Sequence, residues 1–323
     1  MPFQQRTVAA VLIAAAAVLA ILPGAQAADK VRIGKAVTSS FPFAGLELGK
    51  EQGFWQSEGL DVQISAFRGD GQMQQAFSAG ALDFGWGSGP GMGYATKGAP
   101  DRAVASVAAE PRNMSVFVSA ASGIKTVDDL KGKRIGVTTA GSLTDWLTRR
   151  LAASKGWGAD GIEVVPLGDA RTRLAAMKSG ELAGSVTSTE ESLSLQDQGL
   201  GRQLMTFGDA VPDFHTHVLF ASDAMRKNNP DVVKRVLRAW FKTARFMRDH
   251  RAETVRSIAR TMGVSEKVVD EAYDDELKML SFDGTFSPKA LEVIRHSLKD
   301  LGITDNVPDA KDLYDPGFTP VKF

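Results

Sequence analysis

The chain contains no cysteine. That excludes disulfides, thiolate metal sites and cysteine nucleophiles, and it excludes a lipid anchor on an N-terminal cysteine. Histidine is scarce, at four in the whole sequence, so an imidazole-rich metal centre has few ligands to draw on. An excess of one charge is also missing. The 38 basic side chains match 38 acidic ones, without the basic surplus of a nucleic-acid binder. No apolar run reaches the roughly 20 residues of a membrane-spanning helix. What is present is a globular composition, 43% apolar and 24% charged, over 323 residues. That length permits two domains, each with a core large enough to need no cross-links.

The N-terminus reads as a cleaved export leader over residues 1–27. Arg6 supplies a basic start, Val8 to Leu22 an apolar run, and Pro23-Gly24 a break. Ala25-Gln26-Ala27 then form an A-x-A cleavage site before Ala28. Removing the leader takes away one base and leaves one acid in excess. The absence of a cysteine at that point predicts a freely soluble product.

Beyond the leader, strand-like and helix-like segments alternate. Strands are expected at Val31–Ile33, Asp61–Phe67 and Asp83–Trp86, with helices between them that stop near Gly59 and Gly80. The pattern restarts with strands at Ser115–Ser119, Arg134–Thr138, Ile162–Pro166 and Gly184–Thr187, and helices over Ser142–Lys155 and Arg171–Ser179. His217–Ala221 reads as a return strand. From Pro230 the chain is helical, with Val232, Val233, Val236, Leu237 and Trp240 at 3.6-residue spacing. This βαβ order predicts α/β architecture with parallel sheets.

Four segments carry a family resemblance. "VRIGKAVTSSFPFAGLELGKEQGFWQSEGLDVQI", "AFSAGALDFGWGSGPG", "IKTVDDLKGKRIGVTTAGS" and "AAMKSGELAGSV" lie in order between residues 31 and 187. Together they resemble the nitrate/sulfonate/taurine-type (NMT1/THI5-like) substrate-binding proteins of ABC importers; in the last segment Ala183 replaces the family's usual acid. The resemblance implies a type II periplasmic-binding-protein fold, two doubly wound α/β lobes joined by two crossover strands. Residues 28–116 and 217–323 would form the first lobe and 117–216 the second. It also implies a monomer in the periplasm that hands a small solute to a transporter permease in the cytoplasmic membrane, with no cofactor and no catalysis. The solutes it offers are sulfonates, nitrate, taurine, thiamine-pyrimidine precursors and aromatic acids. Two alternatives share the architecture: the receptor of a secondary tripartite transporter, and an enzyme. The enzymes of similar fold, fungal thiamine-pyrimidine synthases and chorismate dehydratase, work inside cells, and the first needs cysteines.

Ligands of such sheets bind beyond the carboxyl ends of strands. Five loops qualify: Ser39, Ser40 and Phe41; Gly71 and Gln72; Ser88 and Gly89; Ser142, Leu143 and Thr144; and Thr187, Ser188, Thr189 and Glu190. They are hydroxyl-rich and poor in fixed cations. Ser142 reads as a helix N-cap whose helix offers free N–H groups to an anionic ligand. Phe41, Trp86, Trp146 and Phe214 are candidate aromatic walls, with Trp86 and Trp146 read equally as core or pocket. His215 and His217 alternate on an apparent strand and would share a face. Without a third ligand a metal is not expected there, and His215 is read as a hydrogen-bonding cleft residue. Arg235, Arg238, Lys242, Arg245 and Arg248 form a basic helical stripe, read as a solvated face, with transporter contact as the alternative.

Overall fold

The structure is a computed structural model that describes residues 28–323. The expected leader lies outside those residues. The chain opens with β1 (Asp29–Lys35), α1 (Phe41–Glu51), α2 (Phe54–Ser57), β2 (Leu60–Ala66), α3 (Asp70–Ser78), β3 (Phe84–Ser88) and β4 (Asp101–Ala108). It continues through β5 (Met114–Ser119), β6 (Arg134–Val137), α4 (Leu143–Ser154), β7 (Glu163–Pro166), α5 (Ala170–Lys178), β8 (Gly184–Ser188), α6 (Thr189–Asp197) and β9 (Gly201–Thr206). It ends with β10 (His217–Ser222), α7 (Asp223–Asn228), α8 (Pro230–Asp249), α9 (Arg251–Met262), α10 (Glu266–Met279), α11 (Pro288–Asp300) and α12 (Ala310–Leu313).

These strands build two five-stranded sheets, ordered β2-β1-β3-β10-β4 and β7-β6-β8-β5-β9. In the first, β1 runs parallel to β2 and β3, while β10 is antiparallel to both β3 and β4. The second repeats the plan: β6 is parallel to β7 and β8, and β5 is antiparallel to β8 and β9. The two α/β lobes expected from the sequence are therefore present. Strand β5 pairs only with second-sheet strands, from Met114 onward.

The chain passes between sheets twice, at 109–113 and 207–216. The passages run side by side, tied by Thr216 N–H to Ala109 O at 2.9 Å and Phe207 N–H to Met114 O at 2.9 Å. Asp213 in the second passage adopts a left-handed φ of 52° and pairs with Lys289 at 2.5 Å. Two adjacent passages of chain, the sole covalent links between the sheets among the described residues, make the natural hinge of such a molecule.

The first lobe's core is set by three tryptophans. Trp86 of β3 meets Trp55 of α2 edge-on at 6.3 Å and Trp240 of α8 at 5.4 Å. Gly53, at φ 72°, makes this possible by ending α1 so that α2 can turn Trp55 inward. The apolar stripe of α8 is buried as its spacing predicts, from Val233 to Met247. Its basic stripe has an internal use. Arg238 and Lys242 hold Glu58 at 2.8 and 2.7 Å, and Arg235 holds Asp29 and Asp231. Burial would raise the Glu58 carboxyl, but those two hydrogen-bonded cations outweigh it and hold the group low. Much of the stripe is thus spent pinning α2 and β1 to α8.

Candidate functional site

The carboxyl ends of β1, β2 and β3 face those of β6, β7 and β8 across a cleft of about 540 Å³. Lobe-to-lobe contacts close its rim. Arg68 reaches Asp169 at 2.6 Å, Gly71 N–H donates to Thr139 Oγ1 at 3.2 Å, and Tyr94 Oη donates to Ala140 O at 2.8 Å. Phe43, Phe67, Met114 and Leu143 provide apolar walls. Polar groups converge from both sheets, the usual make-up of a small-molecule site.

Of the residues expected here, Ser39, Ser40, Ser88, Leu143, Thr144, Thr187 and Ser188 line the cleft. Most of their hydroxyls are already engaged. Ser88 Oγ donates to Asp70 at 3.0 Å and accepts from Gly91 N–H at 3.1 Å. Thr144 Oγ1 accepts from Thr138 N–H at 3.0 Å, and Ser188 caps α6 through Glu191 N–H at 3.2 Å. Thr187 Oγ1 donates to Glu191. Ser40 differs. It stands at the N-cap of α1 without capping it, and its buried Oγ has no partner. His217 Nδ1, in the same cleft, is also unpartnered. Both atoms are buried in the wall of the cleft without a well-aligned hydrogen bond.

The other expected residues lie outside the cleft. Phe41 is buried against Tyr273 at 5.9 Å. Gly71 is in the rim contact above, and Gln72 Oε1 accepts from Arg68 N–H at 3.2 Å. Gly89 packs so closely that a Cβ there would meet His215 O at 2.1 Å, which only glycine avoids. Ser142 is 1% exposed and caps α4, bonded to Thr138 and Thr144. Thr189 lines a second cavity, and Glu190 is buried. His215 faces away, bonded to Ser106 Oγ at 2.9 Å and Ser287 N–H at 3.0 Å. The two histidines do not share a strand face, because β10 begins only at His217. Of the expected aromatic walls, Trp86, Trp146 and Phe214 are fully buried, and Trp146 stacks on Phe214 at 4.3 Å. Ser142→Ala is therefore expected to cost about 1 kcal/mol of stability through the lost cap while leaving ligand affinity within about twofold; denaturant unfolding and titration calorimetry read the two separately.

The α4 N-terminus, expected to receive a ligand anion, is taken by the protein's own carboxylate. Asp70 of the first lobe accepts from Ser88 N–H at 2.9 Å and faces the Leu143 N–H of the second. Burial raises this carboxyl, and those donors oppose the rise.

The expectation of few cations also needs correction. Arg68, Arg171 and Arg173 all line the cleft. Arg173 is 4% exposed and nearly fully engaged: Nε donates to Ser185 Oγ at 2.9 Å, Nη1 to Gly168 O, and Nη2 lies 3.4 Å from Glu191. The loop after β7 ends at Asp169, which caps α5 through Thr172 N–H at 2.9 Å, and Arg171 and Arg173 stand in the first turn of that helix. The strand-end rule reaches Asp169 and stops there, because both arginines lie inside the helix.

Two α/β lobes that close on a polar cleft, with sheet orders of this kind, define the periplasmic-binding-protein fold. The chain belongs to the family described as NMT1/THI5 like, which matches residues 40–254. A protein of Brucella abortus described as a binding protein is 28% identical over 223 residues, 68% of each chain. The alkanesulfonate-binding protein SsuA of Xanthomonas axonopodis pv. citri, bound to MOPS, has the same fold. Its TM-score is 0.77 at 19% identity, over 88% of this chain and 98% of that one. The periplasmic nitrate-binding protein NrtA of Synechocystis PCC 6803 gives 0.67 at 14% identity, over 88% and 87%.

Proposed function

We propose that this protein captures a small organic acid, a sulfonate or carboxylate with an apolar portion, outside the cytoplasmic membrane and delivers it to an ABC importer. The observation that carries this reading is the cleft itself: about 540 Å³ between two lobes, with Arg173 in one wall and Phe43 and Phe67 in another. Nitrate would leave most of that volume to water, whereas an acid with an apolar tail would use both kinds of wall. The ligand's acidic group meets Arg173 or Arg171, and Ser40 Oγ and His217 Nδ1 bond its remaining polar atoms. Residues 1–27 are removed on export, and the protein works in the periplasm as a monomer that turns nothing over. Its sulfonate- and nitrate-binding neighbours support this in kind.

Thermal-shift screening against alkanesulfonates, taurine, nitrate, aromatic carboxylates and aminopyrimidines tests the reading. A true ligand at about 100 times its Kd adds about 2.7 kcal/mol of stability, and the largest shifts are expected for organic acids. Aminopyrimidines shifting the midpoint while every acid fails would sink the acid assignment. Chemically altered ligand in excess over protein would sink the binding assignment.

A further inference from the structure

Two glutamates meet where the lobes touch on the hinge side. Glu190 sits in the first turn of α6 in the second lobe, and Glu276 on α10 of the first. They are 0% and 1% exposed. The two carboxyls lie within reach of each other, with Ser188 and Asn113 at their edges. Yet none of their four oxygens has a well-aligned donor. Two ionised carboxylates have no hydrogen to share, and one proton between them supplies the missing bond.

The surroundings offer no cation in exchange. Glu191 and Asp275 add like charge beside the pair. Asp209 and Glu271 line the adjoining cavity of about 370 Å³, whose single basic residue, Arg112, turns to Asp209 at 3.6 Å. On the elements packed around α10 and α6, Lys267 pairs with Asp197, Arg251 with Asp270 and Asp274, Lys35 with Glu47, and Arg260 with Glu51. Lys50 donates to Val62 O, and Arg173 leans on Glu191. His217, across Asn113, is held neutral by burial. Among the described residues no group of three or more His, Cys, Asp or Glu side chains could hold a metal ion.

We propose that Glu190 and Glu276 form a proton-carrying latch: the lobes close by bringing the two carboxyls together around one shared proton, and loss of that proton drives them apart. The inference rests on the reading of the molecule as two lobes that open and close. In the open form each carboxyl is hydrated and titrates in the ordinary range. In the closed form burial raises both, and the facing carboxylate pushes Glu276 well above that range. A carboxyl raised by folding contributes stability that is complete below its unfolded value and is lost as pH rises through its folded value. Closure therefore takes up a proton, and solute affinity falls as the medium becomes more alkaline.

The test needs no solute, so its failure and a failed solute screen are distinct results. Thermal unfolding and small-angle scattering are compared for the wild type and the Glu190→Gln/Glu276→Gln variant from about pH 5, just above the ordinary carboxyl range, to about pH 9. The difference between the two proteins cancels the histidines. The wild type is expected to lose at least about 3 °C relative to the variant across that range and to gain radius of gyration, while the variant stays compact. If the double variant does not fold, Glu276→Gln alone, which cannot share a proton between two carboxylates, is expected to show less than half of the wild-type slope. Equal slopes in wild type and variant overturn the latch. So does a midpoint that calcium chloride raises in the wild type alone at the alkaline end, which would make the occupant a cation rather than a proton.

Discussion

Replacing Arg173 with leucine is expected to weaken binding at least about tenfold and to cost about 3 kcal/mol of stability. The guanidinium is buried, and removing it leaves Gly168 O without a donor, Ser185 Oγ still bonded to Gly136 O, and Glu191 with Thr187 Oγ1 but no cation. The stability loss comes mainly from leaving a carboxylate half-buried without its partner. Changing both residues, Arg173→Leu with Glu191→Leu, should recover most of it, because a matched apolar pair leaves no lone charge. Affinity should not recover. A charge-assisted hydrogen bond to an acidic ligand contributes about 1.5–3 kcal/mol, so the double variant should bind at least about tenfold more weakly than the wild type, and about 100-fold at the upper end. Denaturant unfolding and titration calorimetry on the single and double variants separate the two effects. Undiminished affinity in a folded double variant would place the ligand's acid elsewhere in the cleft.

Acid is the second large lever. Burial pushes His215 down to about 4 and His217 down to about 3, against a weaker upward pull from backbone hydrogen bonds to Ser287 and Gly87. For a histidine lowered by folding, the stability is present above its unfolded value near 6.5 and is lost as pH falls toward the folded one. By about pH 5 each histidine is expected to cost on the order of 2 kcal/mol, about 4 kcal/mol together, and the loss deepens until about pH 4 for His215 and about pH 3 for His217. His217→Gln should remove roughly half of this slope in urea unfolding. An unchanged slope in that variant would show that the ring is hydrated in the folded state. The latch acts in the opposite sense, so stability should peak in mildly acidic to neutral solution.

The sequence made the parallel half of each sheet legible. Strands such as Asp61–Phe67 and Arg134–Thr138 are short β-branched runs bounded by glycine stops, and they stand within a residue or two of where the structure has them. Strands β4 and β9 escaped. "DRAVASVA" is rich in alanine, a poor strand former, and β9 alternates half-exposed residues without a clear apolar face. Both lie at sheet edges, held by β10 and β5 respectively rather than by local propensity. The site was legible in position but not in orientation. Strand-end hydroxyls were found at Ser40, Ser88 and Ser188, but whether such a group faces a ligand or caps a helix depends on its rotamer and on the next turn. Ser142 and Ser188 became caps. Ser40, whose helix has proline at its second position and no N–H there to cap, was left free. Arg173 carried no strand-end signal of its own, being a turn inside a helix and turned back toward the sheet.

The order of strands in the first sheet dictates a timetable for synthesis. Strand β4 touches the rest of its sheet only through β10, which slots between it and β3. Until residues 217–222 emerge from the ribosome, that sheet cannot be completed, and the apolar flanks of β3 and β4 stay uncovered. The inserted lobe has no such wait, since all five of its strands lie within 114–206. The middle of the chain can therefore be finished while the beginning is still waiting for the end. A nascent chain halted before residue 217 would expose an unfinished half that invites a chaperone.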